Sequence, residues 1–246
     1  MRSIQAFRRI GGVKHLVAIA ALFLAAQGIA DAAVHVQATR VIYHGRAASA
    51  SVAITNKNPL AYMVQAWLDE GDATTIPDHL PIAVTPPLMR LDPGEEALVR
   101  TIYAGHGLPA DRESLFWINI QEIPPRSDAT QALQIAIRTR IKLFFRPAEL
   151  NIALDEAART LQWRVDSQGL TIANPSPLHI TFAHIQNHPA GGTGQKHLDV
   201  DMIAPGQTLT VPRSQLSLPS DATSIRFGYI NDYGGISEVA DASLQR

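Results

Sequence analysis

Short runs in which apolar and polar residues alternate, separated by clusters of turn-forming residues, recur along the chain. Past the N-terminal region no stretch longer than about ten residues keeps a helical period. Val34, Val36, Ala38 and Ile42 alternate across His35, Gln37 and Thr39 before His44-Gly45 turns the chain. Ala50, Val52 and Ile54 alternate with Ser49, Ser51 and Thr55 ahead of Asn56-Lys57-Asn58-Pro59. Further runs lie at 62–68, 98–103 and 115–120, and Leu91-Asp92-Pro93-Gly94 supplies a turn in which Pro presets one dihedral and Gly relieves another. The run 132–145 is the longest strand candidate. Seven such runs with frequent turn signals predict a β-sandwich of immunoglobulin-like size over residues 33–147. Pro147 interrupts the pattern, and 155–160 reads as a single helical turn. New strands at 161–165, 170–173, 179–184, 198–202, 208–211, 224–230 and 236–239 predict a second, smaller sandwich over 148–246. The expected fold class is all-β, with two immunoglobulin-like β-sandwich domains.

Composition narrows the setting. The 246 residues carry 21 basic and 22 acidic side chains, 46% apolar residues and no cysteine, which excludes a disordered chain and a disulfide-stapled miniprotein. Neither charge sign is in excess, so a nucleic-acid partner is not expected. Arg2, Arg8, Arg9 and Lys14 precede an apolar run from Leu16 to Ala26 and small residues at Ala30, Ala32 and Ala33, the pattern of a signal peptide over residues 1–32. The run is too short for a membrane span, which needs about 20 apolar residues. Cleavage after Ala32 would leave 17 basic and 21 acidic groups, a mildly acidic exported protein that must be stable through packing alone.

Catalytic chemistry is sparse. There is no cysteine nucleophile and no Gly-x-Ser-x-Gly elbow. The glycine-rich stretch 191–194 opens no helix, which argues against phosphate binding. His179, His184, His188 and His197 are the one suggestive cluster, and a metal-dependent enzyme is the reading they would support. Their spacing disfavours it, because His179 and His184 have opposite strand parity and the other two flank the glycines, so surface or loop histidines are expected. No metal and no cofactor is expected.

The run 132–145 carries two kinds of face. Leu133, Ile135, Ile137, Thr139 and Ile141 share one parity, and Gln134, Ala136, Arg138, Arg140 and Lys142 the other. One reading is a half-buried strand with its apolar row on its own core. The other is an edge strand that lends Leu133, Ile135 and Ile137 to a partner's sheet.

Asp111-Arg112-Glu113-Ser114-Leu115-Phe116-Trp117, Glu122-Ile123-Pro124-Pro125, Leu133-Gln134-Ile135-Ala136-Ile137, Ile141-Lys142-Leu143-Phe144-Phe145-Arg146-Pro147, Asn174-Pro175 and Tyr229-Ile230-Asn231-Asp232-Tyr233-Gly234-Gly235 resemble the motifs of PapD-like periplasmic pilus chaperones. The resemblance covers nearly all of the chain after residue 32. It implies a boomerang of two immunoglobulin-like domains that receives pilin subunits in the periplasm, each subunit being a sandwich missing its last strand. It assigns Leu133, Ile135 and Ile137 to the donated strand, and Arg40 and Lys142 to a cleft that grips the subunit's terminal carboxylate. It assigns Glu113, Arg146 and Asp232 to a charge network that links the domains. The short connection from Ile123 to Gln131 resembles the short-loop branch that serves rod-like pili. An outer-membrane usher is the implied second partner, and an empty molecule is expected to mask its strand edge by self-association. The implied role is non-catalytic. A fimbrial structural subunit fits less well, since such a subunit is one incomplete domain with a donor extension.

Overall fold

The computed structural model describes residues 32–75, 77–127, 133–186, 198, 200–218 and 222–246. The signal-like segment up to Asp31, the glycines of 191–194, His188 and His197 therefore lie outside the described residues.

The first alternating run, continuous in the sequence, is two strands in two sheets. β1 (Val34–Val36) pairs antiparallel with β3 (Ala50–Asn56), whereas β2 (Arg40–His44) pairs parallel with β9 (Arg138–Arg146). The break at 37–39 resets the side-chain period: Val41 and Tyr43 enter the core, and Arg40 takes the opposite face of its sheet. One parity shared from Val34 to Ile42 is thus not what the fold adopts. The remaining strands of this half are β4 (Tyr62–Asp69), β5 (Ile82–Thr85), β6 (Leu88–Leu91), β7 (Glu96–Tyr103) and β8 (Ser114–Ile123). They form a four-stranded sheet in the order β1-β3-β7-β5 and a five-stranded sheet in the order β2-β9-β8-β4-β6. Ile54, Val64, Val99, Ile118 and Leu143, none more than 1% exposed, come from both sheets and fill the space between them. Each such side chain contributes about 1.5–3 kcal/mol of burial.

The strand expected over 132–145 begins only at Arg138. The described residues ahead of it, 133–137, have no regular structure, and the Glu122 N–H donates to the Ile137 carbonyl at 3.0 Å where the segment joins the sheet. Leu133, Ile135 and Ile137 are 89%, 65% and 38% exposed, while Ile141, of the same parity, is in the core. The apolar row thus runs off the end of its own sandwich.

After Pro147 come α1 (Leu154–Arg159), β10 (Gln162–Val165), β11 (Gly169–Ala173), β12 (Ile180–Gln186), β13 (Met202–Ile203), β14 (Thr208–Pro212), β15 (Ser224–Ile230) and β16 (Ile236–Gln245). Leu154, Ala157 and Ala158, at i, i+3 and i+4, are the buried stripe of the helix. The strands run β13-β12-β15-β16-β10-β11-β14. β16 pairs antiparallel with β15 and then, at Leu244 and Gln245, parallel with β10, so one strand joins the two halves that close over the second core. Trp163 on β10 packs its ring 5.0 Å from Phe227 on β15 across that core.

Gly169 is required where β11 meets β14: its φ is +153°, and a Cβ there would collide with the Val211 carbonyl. Gly206 also has a positive φ, +69°, but faces open space. Gly206→Ala should therefore cost about 1–2 kcal/mol from the backbone conformation alone, and Gly169→Ala distinctly more. Urea unfolding of the two variants checks the order.

Candidate functional site

The outward parity of β9 presents Arg138, Arg140, Lys142, Phe144 and Arg146, and β2 adds Arg40, the register partner of Lys142. Trp117 and Asn119 of β8 lie opposite Lys142 and Arg140. A row of cations this dense is tolerable only if each finds its own partner.

Arg140 grips the Asp69 carboxylate with two nitrogens, Nε at 3.0 Å, donates to the Gly71 carbonyl at 2.9 Å and lies 4.2 Å over the Trp117 ring. Asp69 also accepts from Asn119 Nδ2 at 2.6 Å. Burial pushes the Asp69 carboxyl up, but the hydrogen bonds from Arg140 and Asn119 outweigh it and hold the group below its ordinary range. Arg138 donates to the Ala73 carbonyl at 2.9 Å near Trp67.

Arg146 joins the two sandwiches. Its Nε donates to Glu113 Oε1 at 2.8 Å, and its two terminal nitrogens take both oxygens of Asp232, beyond the end of β15, at 2.8 and 2.9 Å. Glu113 Oε2 accepts the His179 N–H at 2.8 Å and faces His179 Nδ1 at 3.2 Å. The loop before His179 is fixed by Asn174, whose Nδ2 donates to the Leu178 carbonyl at 2.8 Å, and the Glu113 N–H donates to the Pro177 carbonyl at 2.9 Å. Burial lowers the affinity of Arg146 for its proton, but the hydrogen bonds and charges of Asp232 and Glu113 reverse the sign and raise it.

Arg40 and Lys142 lie beside this network. Arg40 is 9% exposed, donates to the Ile230 carbonyl at 3.0 Å and stands 5.6 Å from the Phe144 ring. Its buried Nε has no hydrogen-bond partner among the described residues. Burial lowers its pKa against the raising influence of Asp232, Asp201 and Glu113. Lys142 Nζ meets both oxygens of Asp201 at 3.0 Å and lies 5.4 Å from the Trp117 ring. Two adjacent, nearly buried cations are suited to hold a carboxylate: a planar fork and a compact point charge together replace its hydration.

The structure therefore brings Arg40 and Lys142 side by side, joins Glu113, Arg146 and Asp232, and leaves Leu133, Ile135 and Ile137 exposed on the approach to the same strand. It corrects the expectation of surface histidines. His179 is buried against Glu113 and Phe144, and His184 is half-buried, 3.2 Å from Glu238 beside Gly228. Among the described residues no three His, Asp or Glu side chains converge as metal ligands would. Asp201, His179 and Ile230 complete the site; Ile230 lies in the motif around Asp232 and His179 in the histidine cluster, but neither was assigned to this site, and nothing marked Asp201.

Two sandwiches share buried charge at their junction, where Arg146 meets Glu113 and Asp232, and a pair of nearly buried cations lies beside it. The chain belongs to the PapD family of pilus assembly chaperones: residues 33–151 match the family described as pili and flagellar-assembly chaperone, PapD N-terminal domain, and residues 156–240 match the PapD C-terminal domain. It is a chaperone of pilus assembly and not an enzyme. It is 36% identical over 231 residues to the chaperone protein PapD of Escherichia coli, covering 91% of this chain and 92% of that protein. Its fold is similar to the crystal structure of the periplasmic chaperone SfaE, with a TM-score of 0.67 and 31% identity over 86% of this chain and all of the other. It is also similar to the SafB chaperone of Salmonella enterica, solved in complex with the SafA pilin, with a TM-score of 0.69 and 28% identity over 84% and 95% of the two chains.

Glu113→Ala should cost about 3–5 kcal/mol, the price of leaving Arg146 and His179 without a buried partner. Combined with Asp232→Asn it should cost less than the sum, because both act on one guanidinium; a denaturation double-mutant cycle reads the difference. Asp69 has a folded pKa below its unfolded value, so its ion pair adds stability above about pH 4 that is lost as the pH falls through the lowered value. Asp69→Asn should flatten the acid limb of stability against pH.

Proposed function

We propose that this chaperone receives pilin subunits in the periplasm and completes their unfinished sheet with its own chain. Leu133, Ile135 and Ile137 enter the subunit's groove, and Arg40 and Lys142 grip the carboxylate at the end of the subunit. The observation that carries this reading is the pairing of two nearly buried cations midway along β9, a strand that begins directly after a row of exposed apolar side chains. Burying three such side chains contributes about 1.5–3 kcal/mol each, and each new backbone hydrogen bond about 1. That exceeds the cost of association by enough for a durable complex. The anchor also fixes register: once the carboxylate sits at Arg40 and Lys142, a slip of one residue would turn every apolar side chain of the donor away from the groove.

Residues 33–147 serve as the donor domain and 148–246 as its companion, held at a working angle by Glu113, Arg146 and Asp232. The periplasmic location rests on the signal-like segment and on the likeness to SfaE, and the pilin partner on the likeness to SafB in its complex with SafA. The loaded chaperone passes its subunit to an outer-membrane usher.

Arg40→Ala and Lys142→Ala should each leave the melting transition in place while weakening subunit capture by about 2 kcal/mol or more, tens-fold in affinity. Ile135→Asp should weaken it through the groove instead. Co-purification with a His-tagged pilin checks all three; wild-type recovery with the two cation variants would refute the anchor, and with Ile135→Asp the donor strand.

A further inference from the structure

Lys142 already holds a carboxylate. Both oxygens of Asp201 stand 3.0 Å from its ammonium, which is the ligand chemistry that a chain end would bring. Asp201 comes from the second domain, just ahead of β13, and its carbonyl accepts the Phe182 N–H at 2.8 Å, so its backbone is tied to β12. Its side chain is nevertheless 74% exposed, against 10% for that of Lys142. The pair is therefore unequal: the lysine has little water to return to, whereas the aspartate can swing into solvent at small cost.

We infer that Asp201 is an internal stand-in for the subunit's carboxylate, which neutralises Lys142 in the empty chaperone and sets how tightly a chain end must bind to displace it. The inference rests on the anchor role of Arg40 and Lys142. An uncompensated ammonium at the junction of the sandwiches would destabilise the empty molecule, and Asp201 removes that cost. When a chain end arrives, two carboxylates compete for one ammonium. The competitor is tethered, so its effective concentration is constant and it weakens every carboxylate ligand by the same factor, whatever the subunit concentration. Displacement also leaves two negative charges close together, which adds to the threshold. Arg40 is bound differently: it donates to a neutral carbonyl and keeps a buried Nε without a partner among the described residues, so it can take up the incoming oxygen while Lys142 exchanges partners.

The test uses a synthetic peptide of alternating valine and threonine ending in a free carboxylate, and the same peptide as its C-terminal amide. Both are titrated into the full mature chaperone by calorimetry. Asp201→Asn should bind the acid peptide about two- to fivefold more tightly than the wild type, the range that an exposed carboxylate partner is worth. The amide peptide should bind the two proteins alike. Asp201→Ala, which also removes the remaining hydrogen bond to Lys142, should bind the acid peptide more tightly by at least as much. Unchanged or weaker binding of the acid peptide by both variants, with the wild type still preferring acid over amide, would overturn the stand-in role and leave the anchor intact. A wild type that binds acid and amide equally would overturn the anchor, and the stand-in with it.

Discussion

β9 has to satisfy two environments at once, and its two-residue period is the constraint under which the site is assembled. Ile141, Leu143 and Phe145 are committed to the first core. Arg138, Arg140, Lys142, Phe144 and Arg146 therefore have no choice of face. Shifting the strand by one residue would turn Arg138, Arg140, Lys142 and Arg146 toward the sandwich, so the core fixes the face that the cations take. The same register brings Arg40 beside Lys142, because β2 and β9 pair in parallel with those two residues matched.

The cations along that face are then sorted by partner. Arg140 is saturated by Asp69, Gly71 and Trp117 within the first domain, and Arg146 by Glu113 within it and Asp232 across from it. A bidentate guanidinium with nearly buried partners is a fixed joint. Arg40 and Lys142 lie between these saturated arginines with weaker holds, a neutral carbonyl for one and an exposed aspartate for the other. For the proposed anchor, rigid charge on both sides of an exchangeable pair is preorganisation, since little must reorganise except the group that leaves.

Much of this was legible in the sequence. Alternation and turn chemistry revealed an all-β chain, and the motifs around Glu113, Lys142 and Asp232 pointed to the charged residues that the fold brings together. The strand switch at 37–39 was not read, because Val34, Val36, Ala38 and Ile42 share one parity across it, and Arg40 on that parity with Val41 off it were the only local marks that the backbone changes sheets and moves Val41 and Tyr43 inward. Asp201 and the role of His179 were hidden for a related reason. Their importance comes from a neighbour in the other domain, and neither local propensity nor parity reports on contacts made at long range.

The segment 133–137 stays out of the sheet for a reason that lies in its neighbour. β8 pairs with β9 as far as Gln121 opposite Arg138, and Glu122 adds one more bond to Ile137. β8 ends at Ile123, and the chain continues into Pro124 and Pro125, which have no N–H to offer. A strand continuing backwards along that edge would meet acceptors without donors, so the ladder stops, and Leu133, Ile135 and Ile137 lose the pairing that would have settled them on their own domain. Stopping the ladder there leaves the backbone of 133–137 outside the sheet and its apolar row exposed, as the proposed donor role requires. Extending it would have paired those backbone groups within the chaperone's own sheet and drawn Leu133, Ile135 and Ile137 toward their own domain.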